Sequence, residues 1–124
     1  MNYESTYWKD GEAYHRTAIG AKKRPKVFIP EIVYNLLAMA IEKYFMAFLE
    51  AHNTMPENHT FTDLINAVNK IKPLAPELES SLKSLENVQD ICPIFEGYQH
   101  HEPTEEQLQK MYEATDRVAE YCKQ

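Results

Sequence analysis

Between Pro30 and His52 apolar side chains recur at helical spacing and leave little of the circumference polar. Ile29, Val33, Leu36, Leu37, Ala40, Ile41, Tyr44, Phe48 and Ala51 follow the three- and four-residue spacing that stacks side chains on one helix face. Ile32, Met39, Phe45, Met46 and Leu49 spread around the other side. A helix apolar nearly all round has to be covered on most of its sides. The segment is therefore expected to be the central helix of a bundle, to form a subunit interface, or both. Pro30 suits the first helical position, where its missing N–H would have no partner anyway.

The rest of the chain supplies helices to cover it. A first helix is expected from Ser5 to Gly20, with Ser5 as N-cap, Tyr7, Trp8, Tyr14 and Ala18 on one face and Gly20 as the stop. Gly11 inside it costs about 1 kcal/mol relative to alanine. A third helix opens at Thr60, where Asp63 completes an approximate capping box, and carries Phe61, Leu64, Ile65, Val68 and Ile71 as far as Pro73. Pro76 opens a fourth, with Leu78, Leu82, Leu85 and Val88 at helical spacing. The stretch from Gln89 to Pro103 reads as a loop. Thr104-Glu105-Glu106-Gln107 is a full capping box with acids where the helix dipole favours them. The helix after it turns Leu108, Met111, Tyr112, Thr115, Val118, Ala119 and Cys122 inward. No segment alternates with period two, and only three glycines occur, too few for the turns of a β-rich fold. The expected fold is one all-α domain over 1–124, an up-down antiparallel bundle of about five helices joined by short loops.

Composition narrows the function classes. A net charge of -6 argues against a protein that wraps duplex nucleic acid. Any phosphate contact must be local, and Lys22, Lys23, Arg24 and Lys26 form the one basic run. That run reads either as a solvated loop beyond a helix C-terminus or as a phosphate contact point. The three glycines, Gly11, Gly20 and Gly97, are too scattered for a phosphate-cradling loop. Cys92 and Cys122 fit no zinc spacing, and no metal or cofactor is expected. The first ten residues lack the apolar core of a signal peptide, and the longest apolar run, Leu36 to Ile41, is too short to span a bilayer. A cytoplasmic location with free thiols and no membrane association is the expectation.

Two polar features stand out. Glu42 and Lys43 interrupt the most apolar helix. Either both lie on its wet edge, with Glu42 paired to a basic residue of the first helix such as Lys9 or Arg16, or they mark a polar site between helices. His100 and His101 precede the last helix. They read as a solvated pair, or as a loop that brings one imidazole to Cys92 or another side chain. Glu96 and His100 miss the Glu-x-x-His spacing of helical carboxylate metal sites by one residue.

The run Ala38-Met39-Ala40-Ile41-Glu42-Lys43-Tyr44-Phe45-Met46-Ala47-Phe48-Leu49 resembles the second helix of HEPN domains (higher eukaryotes and prokaryotes nucleotide-binding). Ala40, Glu42, Lys43 and Ala47 match an Ala-x-Glu-Lys-x-x-Lys-Ala pattern, with Met46 at the second lysine. Pro56-Glu57-Asn58-His59-Thr60-Phe61-Thr62-Asp63-Leu64 is similar to the family's His-x-Leu entry into the third helix, with His59 at the histidine and the leucine displaced. In layout the likeness covers residues 10–122.

The resemblance implies a bundle that is frequently dimeric, and that often works beside a small nucleotidyltransferase in a toxin–antitoxin-like pair. It places a nucleotide, RNA or partner segment near Glu42, Lys43, His59 and Tyr98, with Lys22, Lys23 and Arg24 as further candidates. Some HEPN domains are metal-independent ribonucleases with an Arg-x(4–6)-His motif. Here the positions that would hold the arginine before His100 or His101 are Pro93, Ile94, Phe95 and Glu96. His15, His52 and His59 lack it too, and only Tyr98 survives of an Arg-Tyr-Pro-like turn. The expectation is a non-catalytic binding module. The alternatives are a divergent ribonuclease using His100 or His101, with Arg24 or Arg16 holding phosphate, and a helical dimer without a ligand.

Overall fold

Five helices account for the fold: α1 (Thr6–Ala21), α2 (Pro30–Ala51), α3 (Phe61–Asn69), α4 (Pro76–Gln89) and α5 (Glu105–Lys123). The structure, a computed structural model, describes residues 3–24, 29–56, 58–89 and 103–123, with backbone alone for 87–89. The described residues form the small all-helical bundle that the periodicity demands.

Local chemistry sets most helix ends. Ser5 caps α1 by accepting from the Trp8 N–H at 3.1 Å. Thr60 accepts from the Asp63 N–H at 3.1 Å, but its hydroxyl also donates to the Asp63 carboxylate, so that acid does not reach back to the Thr60 backbone. The box at Thr104 closes in full: Gln107 N–H donates to the threonine oxygen at 3.1 Å, and Thr104 N–H donates to the Gln107 amide oxygen at 2.9 Å.

Two expected ends shift. Helix α1 does not stop at Gly20. It continues through Ala21, and its cap Lys22 is right-handed, so no left-handed glycine is needed. Helix α3 ends at Asn69 rather than beside Pro73, because the proline ring excludes a helical carbonyl four residues before it. The Asn69 side chain then fastens the turn, accepting from Leu74 N–H at 2.7 Å and donating to Glu79 at 2.8 Å. At the end of α2, Asn53 takes a positive φ of 54°. Asn53 N–H donates to the Glu50 carbonyl and Thr54 N–H to the Leu49 carbonyl, the paired bonds of a Schellman cap.

Helix α2 is the axis. Helices α1, α5 and α3 pack directly on it, while α4 bridges α3 and α5. Leu37, Ile41, Phe45, Met46 and Leu49 are fully buried. Each such side chain contributes about 1.5–3 kcal/mol of transfer free energy. Helix α1 runs antiparallel to α2: Gly11 abuts Ala40 and Tyr44, and Tyr7 lies near Lys43. The glycine has a reason to be there, since a Cβ at Gly11 would come within 2.9 Å of the Tyr44 ring.

Tyrosine hydroxyls join the elements. Tyr34 on α2 donates to the Leu85 carbonyl of α4, and Tyr112 on α5 donates to the Ala18 carbonyl of α1. Tyr121 on α5 donates to the Lys72 carbonyl at 2.6 Å. Each ring fills the core while its hydroxyl gains a partner, which keeps the buried polar atom from costing stability.

Candidate functional site

The covering of α2 is incomplete. Ile32, Leu36, Met39 and Lys43 recur at spacings of four, three and four residues, so they occupy one stripe of the helix. Ile32 is 47% and Met39 is 38% exposed, while Leu36 and Lys43 are half-buried. Ile29, at the N-cap just before them, is 52% exposed and extends the same spacing. From Tyr44 to Leu49 every residue of the helix is buried, and Met46 fully so. This divides the residues assigned above to the second side of α2: Phe45, Met46 and Leu49 are core, and Ile32 and Met39 are surface. Two residues assigned inward are also exposed, Ile29 and Ala51.

Polar groups rim the stripe. On the α3 side, Glu42 accepts a hydrogen bond from His59 Nδ1 at 2.8 Å. The partners expected for Glu42 on α1 are engaged otherwise: Lys9 pairs with Glu4 at 3.1 Å, and Arg16 lines a separate cleft. The reason is rotational. Glu42 points toward α3, and the next residue, about 100° further round, points toward α1. There the Lys43 ammonium lies 5.6 Å from the centre of the Tyr7 ring, within cation–π range. Glu31 and Asn35 flank the stripe nearer its N-terminal end.

The predicted site residues therefore fall into separate groups. Glu42, Lys43 and His59 come together. The basic run does not join them, because Lys22 lies beside Pro30 and Val33 near the other end of α2. Nine residues from Val33 to Glu42 rise about 13 Å. Lys22 stands 3.9 Å over the Tyr112 ring, on the wall of a cleft of about 650 Å³ that Leu108 and Gln109 of α5 also line. Lys23 and Arg24 are exposed. Tyr98, His100, His101 and Cys92 lie outside the described residues.

A second constellation went unread in the sequence. His15 bridges two side chains: its Nδ1 is 2.8 Å from the Tyr44 hydroxyl and its Nε2 is 2.9 Å from Asp116. With neutral imidazole, Nε2–H donates to the carboxylate and Nδ1 accepts the phenol proton. The array ties α1, α2 and α5 together on the floor of a cleft of about 350 Å³, with Arg16 and Lys123 at its rim. Burial, reinforced by the carboxylates of Glu12 and Asp116, holds the Tyr44 phenol well above its ordinary value. Both imidazole nitrogens are occupied, so this histidine has no free lone pair for substrate chemistry in this arrangement. His15 falls on the inward spacing of Trp8, Gly11 and Ala18, and that was its only sequence signal. Asp116 is too distant in the chain to be paired with it by any local rule.

Among the described residues, no three His, Cys, Asp or Glu side chains converge as metal ligands. The Cys122 thiol is buried and donates to the Tyr44 carbonyl at 3.4 Å, and burial pushes its pKa well up, which leaves it unreactive. Helix α2 is long and apolar enough to cross a membrane by length and composition, but 67% of that window is buried inside the bundle. No protein-family model, curated protein or solved structure matches the chain.

Proposed function

We propose that this chain acts by association: a non-catalytic, HEPN-like helical module that docks a protein partner on the open stripe of α2 and a nucleotide or RNA segment beside it. The observation that carries the reading is the stripe itself. Ile32 and Met39 are large, apolar and exposed on the helix that is otherwise the most deeply buried. Contiguous apolar surface rimmed by polar groups marks interaction sites on soluble domains. The rim supplies a hydrogen-bonding carboxylate–imidazole pair on one side and a cation over an aromatic ring on the other.

The partner is a second copy of the chain or a small nucleotidyltransferase, as the HEPN resemblance implies. A reaction site is not needed for this role, and His15 is occupied at both nitrogens. Native mass spectrometry of the protein, isolated gently from its own cells, tests the reading. A complex with a second chain or a nucleotide-sized adduct is the expected spectrum. A bare monomer that binds neither protein, nucleotide nor RNA refutes it.

A further inference from the structure

We infer that His15 is a proton-operated latch: neutral, it fastens α1 to α2 and α5, and on protonation it releases the Tyr44 hydroxyl and loosens α1. The latch works on the face of α2 turned toward α1 and α5, and it is independent of the docking reading above. The chemistry of the three groups fixes their roles. An ionised carboxylate only accepts, so the imidazole nitrogen 2.9 Å from Asp116, Nε2, carries a proton. In the neutral ring Nδ1 is then bare, and it accepts the Tyr44 proton at 2.8 Å. Tyr44 is 2% exposed, so little water reaches its hydroxyl as a substitute acceptor. The same residue carries the junction of three helices. Its ring packs on Trp8 at 4.8 Å and lies against Gly11 of α1, and its carbonyl accepts from Cys122 of α5.

Of the three groups, only the imidazole changes charge between mildly acid and neutral pH. Carboxylates stay ionised there, and burial, reinforced by the carboxylates of Glu12 and Asp116, keeps the phenol protonated. A proton added to the ring makes Nδ1 a donor. The phenol must then turn from donor to acceptor, and its own proton is left inside the packing without an acceptor. The surrounding charges oppose this loss only weakly. Among the residues lining the cleft, α1 presents Glu12 and Arg16, α5 presents Asp116, Glu120 and Lys123, and α2 presents Tyr44. The Cys122 thiol, bonded to the Tyr44 carbonyl, stays neutral because it is buried. Three acids against two bases favour the imidazolium, but its direct partner Asp116 is 68% exposed. An exposed ion pair shifts an equilibrium by at most about five-fold. Stripping a buried donor of its acceptor shifts one by about ten-fold or more. The loss at Tyr44 therefore wins. The latch is whole above the imidazole range and is lost as the pH falls through it.

Hydrogen exchange in the full-length chain, corrected for the intrinsic effect of pH on the rate, tests the latch. Lowering the pH from about 7.5 to about 5, across the imidazole range, should cut the protection of α1 amides around Gly11 and His15 by about ten-fold. Trp8 is the chain's one tryptophan and packs on Tyr44, so its emission should change over the same range. Tyr44→Phe keeps the ring but has no phenol proton to strand, so with its fold confirmed by circular dichroism its acid response in α1 should largely vanish. Nitrogen NMR of the wild-type imidazole should find Nε2 protonated and Nδ1 bare at neutral pH. Protection of α1 that does not fall with pH overturns the inference. So does an equal fall in Tyr44→Phe, which would assign the loosening to other groups, and so does the opposite tautomer at His15.

Discussion

The two sides of α2 differ in how they are finished. On the side facing α1 and α5, ring after ring is buried and its hydroxyl has a partner: Tyr44 with His15, Tyr112 with Ala18, Tyr121 with Lys72. On the open side, from Ile32 to Lys43, apolar side chains reach solvent, and the adjacent polar groups pair with one another at the surface. The contrast separates two uses of the same hydrophobic composition. Directional hydrogen bonds lock the first set into one arrangement. The second set leaves apolar area in solvent at Ile32 and Met39, while Leu36 packs only partly against the core.

The largest break in the sealed side should come from alkali. Burial raises the phenols of Tyr34, Tyr44, Tyr112 and Tyr121 above the ordinary value of 10.0. Their contribution to stability is whole below that pH and is lost as the pH climbs through their raised values, because the unfolded chain gives up these protons first. Phenolate absorbance should therefore rise together with loss of helical dichroism. A non-cooperative titration near pH 10 with the helices intact would show that the rings are not sealed.

Removing packing comes next. Ile41→Ala should lower stability by about 2–5 kcal/mol in urea unfolding, since Ile41 is fully buried. His15→Ala should cost about 1–3 kcal/mol by leaving the buried Tyr44 hydroxyl without its partner. Adding Tyr44→Phe to His15→Ala should cost less than Tyr44→Phe alone, as a double-mutant cycle will read out. The smallest effects belong to the open side. Met39→Lys, in protein dilute enough to be monomeric, should change unfolding stability by no more than about 0.5 kcal/mol. His59→Ala should cost less than about 1 kcal/mol, because its bond to Glu42 is at the surface. A large loss at Met39 in the dilute monomer would mean that the stripe belongs to the chain's own core.

The helices, more than this contrast, were legible from the residues. Capping chemistry located the starts of α1, α3 and α5, since a threonine or serine oxygen acts on an N–H only three residues away. Gly20 misled because a glycine permits a helix stop without requiring one, and Pro73 misled by acting four residues upstream of its own position. The resemblance set Glu42 and His59 near one groove, whereas their hydrogen bond, and the rotation of Glu42 toward α3 that makes it, were visible only in the packed helices. The His15 array gave almost no warning, because Asp116 lies 101 residues away from it.

By itself, the sequence determined what short range can determine: an all-helical chain, the identity of its central helix and the caps that begin three of the others, because periodicity and capping act within a few residues. Tertiary structure alone decided which arc of α2 stayed bare. That arc depends on where α1 crosses at Gly11, where α3 returns past Glu42 and how α5 lies against Tyr44, all of them relations between distant segments. An apolar side chain has the same attraction for any dry surface. Whether Met39 becomes core or contact is therefore fixed by which helices arrive to cover it.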